Sequence, residues 1–211
     1  MTLLHVDSSI LGGRSASRQL SEAVVRAWVQ VHPDVDVVYR DLALTVVQHL
    51  SPLAVDTLKL GAVAADGATD ELTLYEQMIG EFLAADVVVL GVPMYNFGVP
   101  SQFKTWIDAL AQAGRTFKYT EHGPQGLVSG KKVMLVSTRG GVYTAPPMDV
   151  FDFQERYVTA VMKFMGVDHI DILRAEGLNM SPAQREAAMV DAQGRIAGLV
   201  SAISQRTAVV A

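Results

Sequence analysis

Apolar runs that lack polar alternation recur along the chain and predict buried strands. The clearest is DVVVLGV at 86–92, whose β-branched and aliphatic residues suit a central parallel strand covered on both faces. Shorter or more mixed runs predict four further strands, at 3–10, 36–42, 131–137 and 169–174. Apolar residues at helical spacing predict helices at about 16–31, 70–84, 101–113, 151–165 and 182–204. The alternation predicts an α/β fold, a doubly wound five-stranded parallel sheet with helices on both faces.

Two segments interrupt this alternation. Residues 43–68 contain Pro52, Gly61 and Gly67 between short helical fragments and form a long excursion after the second strand. The segment RTFKYTEHGPQGLVSG at 115–130 contains glycine and proline between strand-like runs and predicts a hairpin insert. No repeat or low-complexity linker divides the chain, so we expect one domain over residues 1–211.

Composition limits the classes of function. With 211 residues, 50% hydrophobic and 18% charged, the chain can bury a sizeable core. A net charge of -5 without a long basic cluster argues against nucleic acid as a partner. The absence of cysteine excludes thiol chemistry, and the five histidines show no metal-ligand spacing, so we expect no metal site. The N-terminus lacks an export signal and no run of about 18 apolar residues occurs, so we expect a cytoplasmic protein with no membrane partner.

A loop rich in serine and glycine follows the first predicted strand. Its sequence, SSILGGRSAS at 8–17, places hydroxyls and a flexible backbone directly before a helix N-terminus. Free N–H groups and the helix dipole favour an anion at that position, so the loop suits a phosphate. The simpler alternative is a serine N-cap, worth about 1 kcal/mol, which needs one of the four serines.

A second loop follows the central strand. Pro93 restricts the backbone, and the next residues offer two aromatic rings, a thioether and an amide: Met94, Tyr95, Asn96 and Phe97. This mixture suits a flat ring system with polar edges, although a well-packed connection between strand and helix explains it as well.

A third loop, Thr138-Arg139-Gly140-Gly141-Val142-Tyr143, follows the fourth predicted strand. Its glycines permit close approach of a ligand, and Arg139 is suited to a carbonyl or a developing negative charge. A tight turn with a solvated arginine is the alternative. Because the carboxyl ends of parallel strands share one edge, the three loops should converge on one elongated ligand with a phosphate and a flat ring, which describes FMN.

The chain also resembles a known family, the FMN-dependent NADH azoreductases, also described as NADH:quinone oxidoreductases. The resemblance spans nearly the whole chain, and its most specific parts are PMYNF at 93–97, the hairpin segment 117–132 with YTE at 119–121, and RGG at 139–141. It implies a flavodoxin-like fold with sheet order 2-1-3-4-5, a homodimer, and noncovalently bound FMN.

The resemblance also implies which residues contact the cofactor. Those expected around the phosphate are Ser9, Ser15, Ala16 and Ser17. Those expected along the isoalloxazine and its N5 edge are Pro93, Met94, Tyr95, Asn96 and Phe97. Those expected on the pyrimidine side are Thr138, Arg139, Gly140 and Gly141, with Tyr143 nearby.

By resemblance, FMN takes hydride at N5 from NADH or NADPH and passes two electrons to a quinone or azo compound in a ping-pong cycle. We expect no catalytic acid or base, and contacts to flavin or substrate from Asn96, Tyr119 and Tyr143. The alternative is a flavodoxin-like one-electron carrier or flavin-binding regulator, which the net charge would suit. The hairpin and the excursion favour the enzyme because they would shape a substrate pocket. The sequence departs from the family at 56–68, which has no arginine, and at 145–155, which is aromatic and longer.

Overall fold

A parallel sheet forms the centre of the computed structural model, which describes residues 1–45, 47–59 and 70–208. The strands of the chain are β1 (Thr2–Asp7), β2 (Asp36–Asp41), β3 (Val87–Pro93), β4 (Phe117–Thr120), β5 (Gly123–Gly126), β6 (Lys132–Thr138) and β7 (His169–Ala175). Five of them form the sheet in the order β2-β1-β3-β6-β7, and every neighbouring pair is parallel. The direction of winding reverses between β1 and β3, which makes that point the expected ligand crevice.

Helices cover both faces of the sheet. They are α1 (Ala16–Val31), α2 (Pro52–Lys59), α3 (Asp70–Ala84), α4 (Ser101–Leu110), α5 (Gln154–Met165) and α6 (Pro182–Ala208). Helices α1 and α6 pack on one face, where Trp28 and Ile196 join Val89 in one apolar core. Helices α3, α4 and α5 pack on the other, where Phe82 and Trp106 join a second core. Alternate residues of β3 serve both cores, so the whole strand is buried.

Strands β4 and β5 form an antiparallel hairpin outside the main sheet. The hairpin is anchored to the end of α5, where the Val128 N–H donates to the Met165 carbonyl at 2.9 Å. Gly126 lies so close to this helix end that a Cβ would stand 2.2 Å from the Gly166 nitrogen. The close approach of two backbones at this point requires glycine.

The predicted fold class, sheet order and hairpin are confirmed, with the hairpin strands counted outside the order 2-1-3-4-5. Four predicted boundaries are wrong by three residues or more. Helix α4 ends at Leu110 instead of residue 113. The first strand ends at Asp7 instead of residue 10, because the Ser9 carbonyl accepts a hydrogen bond of 2.7 Å from the Arg18 guanidinium and not from a neighbouring strand. Helix α5 begins at Gln154, after a short 3-10 helix at Met148–Phe151, and α6 continues to Ala208.

Most of the divergent segment 56–68 lies outside the described residues. Within the ranges that are described, no helix combines the length and apolar character of a membrane span.

Candidate functional site

The three loops expected to bind a ligand are joined by hydrogen bonds at one edge of the sheet. The Ser8 hydroxyl and N–H both donate to the Gly91 carbonyl, at 2.9 and 3.1 Å, which ties the end of β1 to β3. The Met94 N–H donates to the Thr138 carbonyl at 2.8 Å, which ties the end of β3 to β6. The loops therefore start from fixed points around the place where the winding reverses.

The first loop leads into α1 with Ser15 as its N-cap. The Ser15 hydroxyl accepts from the Arg18 N–H at 3.4 Å and is paired with the Ser17 hydroxyl at 2.9 Å. A pair of hydroxyls uses one of its two protons, so one O–H stays available. The N–H groups of Ala16 and Ser17, in the first turn, have no acceptor among the described residues. These donors together form a small anion cradle.

A half-buried ion pair supports this loop from behind. The Arg18 guanidinium donates to both carboxylate oxygens of Asp41 at 2.6 Å and to the Ser9 carbonyl. The hydrogen bond to Asp41 raises the pKa of Arg18. Burial alone would raise the pKa of Asp41, but the hydrogen bonds from Arg18 and the Ala43 N–H outweigh it and lower the pKa. Sequence reasoning missed this pair because Asp41 lies on β2, far from Arg18 along the chain.

The second loop contains a tight turn in which Tyr95 and Gly98 exchange two backbone hydrogen bonds of 3.0 Å. Asn96 and Phe97, at its centre, have positive φ angles of 48° and 70°. This is the geometry of a type I′ turn, which favours glycine at the position that Phe97 occupies. A bulky residue there is strained, and strained backbone clusters at ligand sites.

Side chains of the second loop reach the other two. The Tyr95 hydroxyl lies 3.3 Å from the Ser9 hydroxyl and accepts from the Ile10 N–H at 3.4 Å. On the other side, the Phe97 ring lies 6.0 Å from Tyr143 and 5.2 Å from Phe151, measured between centroids. We call residues 142–153, which carry Tyr143 and Phe151, the roof segment. The structure thus brings the expected residues of the three loops together.

The third loop is shaped by close contacts at its glycines. A Cβ on Gly140 would lie 2.7 Å from the Asn179 amide nitrogen, and one on Gly141 would lie 3.2 Å from the Tyr143 ring. The carbonyls of both glycines accept from the segment after β7, while their N–H groups have no acceptor in the part of the chain that is described. Thr138 is buried at the end of β6. The loop therefore offers two backbone donors at this edge.

The side chain of Arg139 requires a correction. We expected its guanidinium to face a ligand, but the side chain is fully buried and turned into the protein. It is surrounded by three carboxylates, Asp152 at 2.9 Å, Glu155 at 2.7 Å and Glu176 at 3.1 Å. A cation held by three carboxylates is not available to a ligand carbonyl. The alternative of a solvated arginine is wrong for the same reason.

Tyr119 stands apart from the contacts that join the three loops. It lies on the β4–β5 hairpin, where 75% of the residue is exposed and its ring packs edge-on against Phe117. Within the described ranges, no group of three or more His, Asp and Glu side chains is arranged to hold a metal ion.

Comparisons with known proteins cover nearly the whole chain. A family model described as flavodoxin-like fold matches residues 1–199. The chain is 47% identical over 210 residues to an FMN-dependent NADH:quinone oxidoreductase of Xanthomonas euvesicatoria, covering 99% of this chain and 97% of the other. It is 48% identical to the corresponding protein of Pseudomonas aeruginosa, covering 96% of this chain and 100% of that one.

The solved structures agree with the sequence relatives. An azoreductase from Bacillus anthracis superposes with a TM-score of 0.85 at 29% identity, covering 95% of this chain and 98% of that chain. The likeness therefore extends over nearly the whole length of both proteins.

Proposed function

The chain belongs to the flavodoxin-like family of FMN-dependent NADH:quinone oxidoreductases, and from this we propose that it uses bound FMN to reduce quinones and azo compounds with NADH. The observation that carries the proposal is the junction of three loops at the winding reversal, each with a different kind of contact. They supply an anion cradle, an aromatic turn and a pair of backbone donors.

The anion cradle fits the phosphate of FMN. The free N–H groups of Ala16 and Ser17 and the remaining hydroxyl proton of the Ser15 and Ser17 pair all lie at the N-terminus of α1. The helix dipole adds to their attraction for a dianion. Ser9, held by Tyr95, would close the cradle on the side of the second loop.

The second and third loops fit the ring system. Met94, Tyr95 and Phe97 supply a partly apolar wall, and the Asn96 amide is exposed beside it. Gly140 and Gly141 would donate their N–H groups to the carbonyl edge of the pyrimidine ring. Arg139 supports this loop from inside the protein without touching the ligand.

Bound FMN supplies the hydride chemistry, accepting hydride from NADH and passing two electrons on to the acceptor. Overall, NADH, a proton and a quinone give NAD⁺ and a hydroquinone, and cleavage of an azo bond uses two such transfers. The protein would position the reactants: the roof segment, in which Tyr143 and Phe151 pack against Phe97, would cover the ring and limit access of water. Backbone donors at fixed positions would stabilise negative charge on the pyrimidine side.

Two further choices follow from the relatives. The sequence alone leaves both NADH and NADPH open as the electron donor. The names of the relatives specify NADH, so we propose NADH. They are named as quinone oxidoreductases, which favours the two-electron enzyme over a one-electron carrier or regulator.

We also propose a homodimer with the roof segment at the interface. Val150 and Phe153 are both 57% exposed, and Phe151 is 41% exposed. An apolar groove of about 420 Å³ lies next to them between Val99, Phe153 and Tyr157. Clustered apolar side chains of this kind mark a surface that another protein covers. Tyr119 on the exposed hairpin is the residue we expect to reach the site of the other subunit.

The proposed reaction is tested by following its two halves separately. The purified protein is reconstituted with FMN, and unbound FMN is removed. It should then show flavin absorbance that NADH bleaches in the absence of oxygen and acceptor. Stopped-flow mixing with a benzoquinone should restore the absorbance faster than mixing with an azo dye, because the dye needs two transfers. A flavin that NADH bleaches and quinones fail to restore would contradict the proposal.

A further inference from the structure

Glu176 follows β7 directly and connects the buried Arg139 to the roof segment. We propose that Glu176 is a positioning residue that fixes Tyr143 at the acceptor site and thereby sets the selectivity between small and bulky quinones. The inference rests on the proposed function, since it concerns the acceptor of that reaction.

The contacts of Glu176 are concentrated on two consecutive roof residues. One carboxylate oxygen accepts from the Tyr143 N–H at 2.9 Å and from the Arg139 guanidinium at 3.1 Å. The other oxygen accepts from the Thr144 hydroxyl at 2.6 Å. The side chain of Glu176 is 14% exposed, so water competes little for its bonds to Tyr143 and Arg139, whereas the bond from Thr144 is exposed.

These bonds begin where the backbone pairing of the third loop ends. The carbonyls of residues 139–141 accept from the N–H groups of residues 177–179, the last of these bonds joining Gly141 and Gly177 at 2.9 Å. From Tyr143 onward, the Glu176 side chain takes over as the contact that ties the roof segment to the end of β7. The position of the Tyr143 backbone therefore depends on one carboxylate.

Tyr143 in turn contributes to the surface of the site. Its ring lies edge-on to Phe97, and the absence of a side chain on Gly141 lets the ring pack against that glycine. Arg139 gives Glu176 its fixed direction, since the guanidinium is also held by Asp152 at the far end of the roof segment. One buried cation thus aligns both ends of the roof segment, and Glu176 transmits that alignment to Tyr143.

The test compares three full-length variants with the wild type. Each protein is prepared both loaded with FMN and free of FMN. Glu176→Gln removes the charge but retains one acceptor oxygen, and Thr144→Val removes only the exposed hydroxyl that donates to Glu176. Glu186→Gln makes the matched change on the exposed surface of α6. Hydrogen exchange of the Tyr143 amide is measured by NMR in the FMN-free protein, and kcat/KM is measured for a benzoquinone and a bulkier naphthoquinone.

We expect Tyr143 amide exchange to accelerate about tenfold in Glu176→Gln, because the bond to a charged acceptor is weakened. The ratio of kcat/KM between the two quinones should shift by about tenfold, mainly through KM, the size typical of a changed pocket wall. Thr144→Val should shift the same ratio in the same direction by less, and Glu186→Gln should leave both quantities at the wild-type values. FMN affinity should stay within about twofold in all three variants, since none removes a cradle donor.

Unchanged amide exchange in Glu176→Gln, or faster exchange with an unchanged quinone ratio, would overturn the positioning role while leaving the reaction intact. Should Glu176→Gln fail to fold, an unchanged ratio in Thr144→Val would overturn it equally. A wild-type protein that binds FMN and fails to reduce any quinone would remove both this inference and the proposed function.

Discussion

The serines of the first loop differ in how far the protein itself satisfies their hydroxyls. Ser8 donates to the Gly91 carbonyl and so belongs to the framework of the sheet. Ser15 caps α1 and shares one proton with Ser17, which leaves a donor at the helix N-terminus. A loop prepared for an anion has this combination of cap and spare donor, whereas a loop that only starts a helix needs the cap alone.

Replacing Ser17 with Ala should weaken FMN binding by about tenfold, because it removes one hydroxyl from the cradle. Ser15→Ala should weaken it similarly and also cost about 1 kcal/mol of folding free energy through the lost N-cap. Fluorescence titration of the FMN-free protein measures the affinity, and urea unfolding measures the stability.

Ser201→Ala, on the exposed surface of α6, is the matched control and should change neither quantity. If the Ser15→Ala, Ser17→Ala double variant bound FMN as tightly as the wild type, the phosphate would have to lie elsewhere.

Two arginines near the predicted loops show which contacts a sequence does not reveal. Arg18 and Arg139 both lie close to the predicted loops in sequence, and both turn inward to carboxylates instead of outward to a ligand. Their partners are distant in sequence, since Asp41 lies on β2 and Glu176 follows β7, so no local pattern indicates the pairing. The serines of the cradle and the glycines at 140 and 141 were predicted from the chain immediately around them, and their contact with FMN stays a prediction.

At the scale of elements, the order of strands and helices was predictable because each carries its own periodicity. Strand β3 is apolar throughout and α1 has a capping serine before it, so both were predicted close to their observed bounds. The start of α5 was not, because the carboxylate of Asp152, which accepts the Glu155 N–H at 3.1 Å, is itself held by Arg139. The connection between β6 and α5 is therefore set by a tertiary charge cluster.

That cluster makes the connection sensitive to acid. Burial by itself raises the pKa of Glu155, but hydrogen bonds from Arg174 and Ser137 and the charge of Arg139 outweigh it and lower the pKa. A carboxylate whose pKa is lowered in the folded state stabilises the fold at pH values above its pKa in the unfolded chain, which is about 4.3. That contribution is lost as the pH falls through the folded-state pKa.

We therefore expect the free energy of unfolding to decline below about pH 4.5 more steeply in the wild type than in Glu155→Gln. At neutral pH, Glu155→Gln should be less stable by about 1 to 3 kcal/mol, because it weakens the charged hydrogen bonds to Arg174 and Arg139. Urea unfolding over a pH series measures both effects, and Glu186→Gln should retain the wild-type slope. Parallel pH profiles for wild type and Glu155→Gln would show that this carboxylate has no part in the acid response.

At the scale of the whole molecule, the two faces of the sheet are closed by helices, but the edge that carries the loops is not. Buried side chains on both faces account for two separate apolar cores. The roof segment, by contrast, presents Val150, Phe151 and Phe153 outward next to the groove at Val99 and Tyr157. A second copy of the chain would cover these exposed aromatic rings, and the two-fold interface that we propose would serve both sites at once.

Light scattering should therefore give twice the mass of one chain at micromolar concentration, and Phe153→Glu should give the mass of one chain. The introduced carboxylate would have to leave water at the centre of the proposed interface, which opposes association even though Lys104 and Arg156 also line the groove. Val190→Glu places the same charge at a residue that is 62% exposed on α6 and should leave the dimer intact.

Because the roof segment also covers the acceptor site, Phe153→Glu should lose quinone reduction while the FMN cradle on α1 keeps its affinity. A wild-type protein that is monomeric and fully active would exclude the dimer, and a Phe153→Glu protein that remains dimeric would move the interface away from the roof segment.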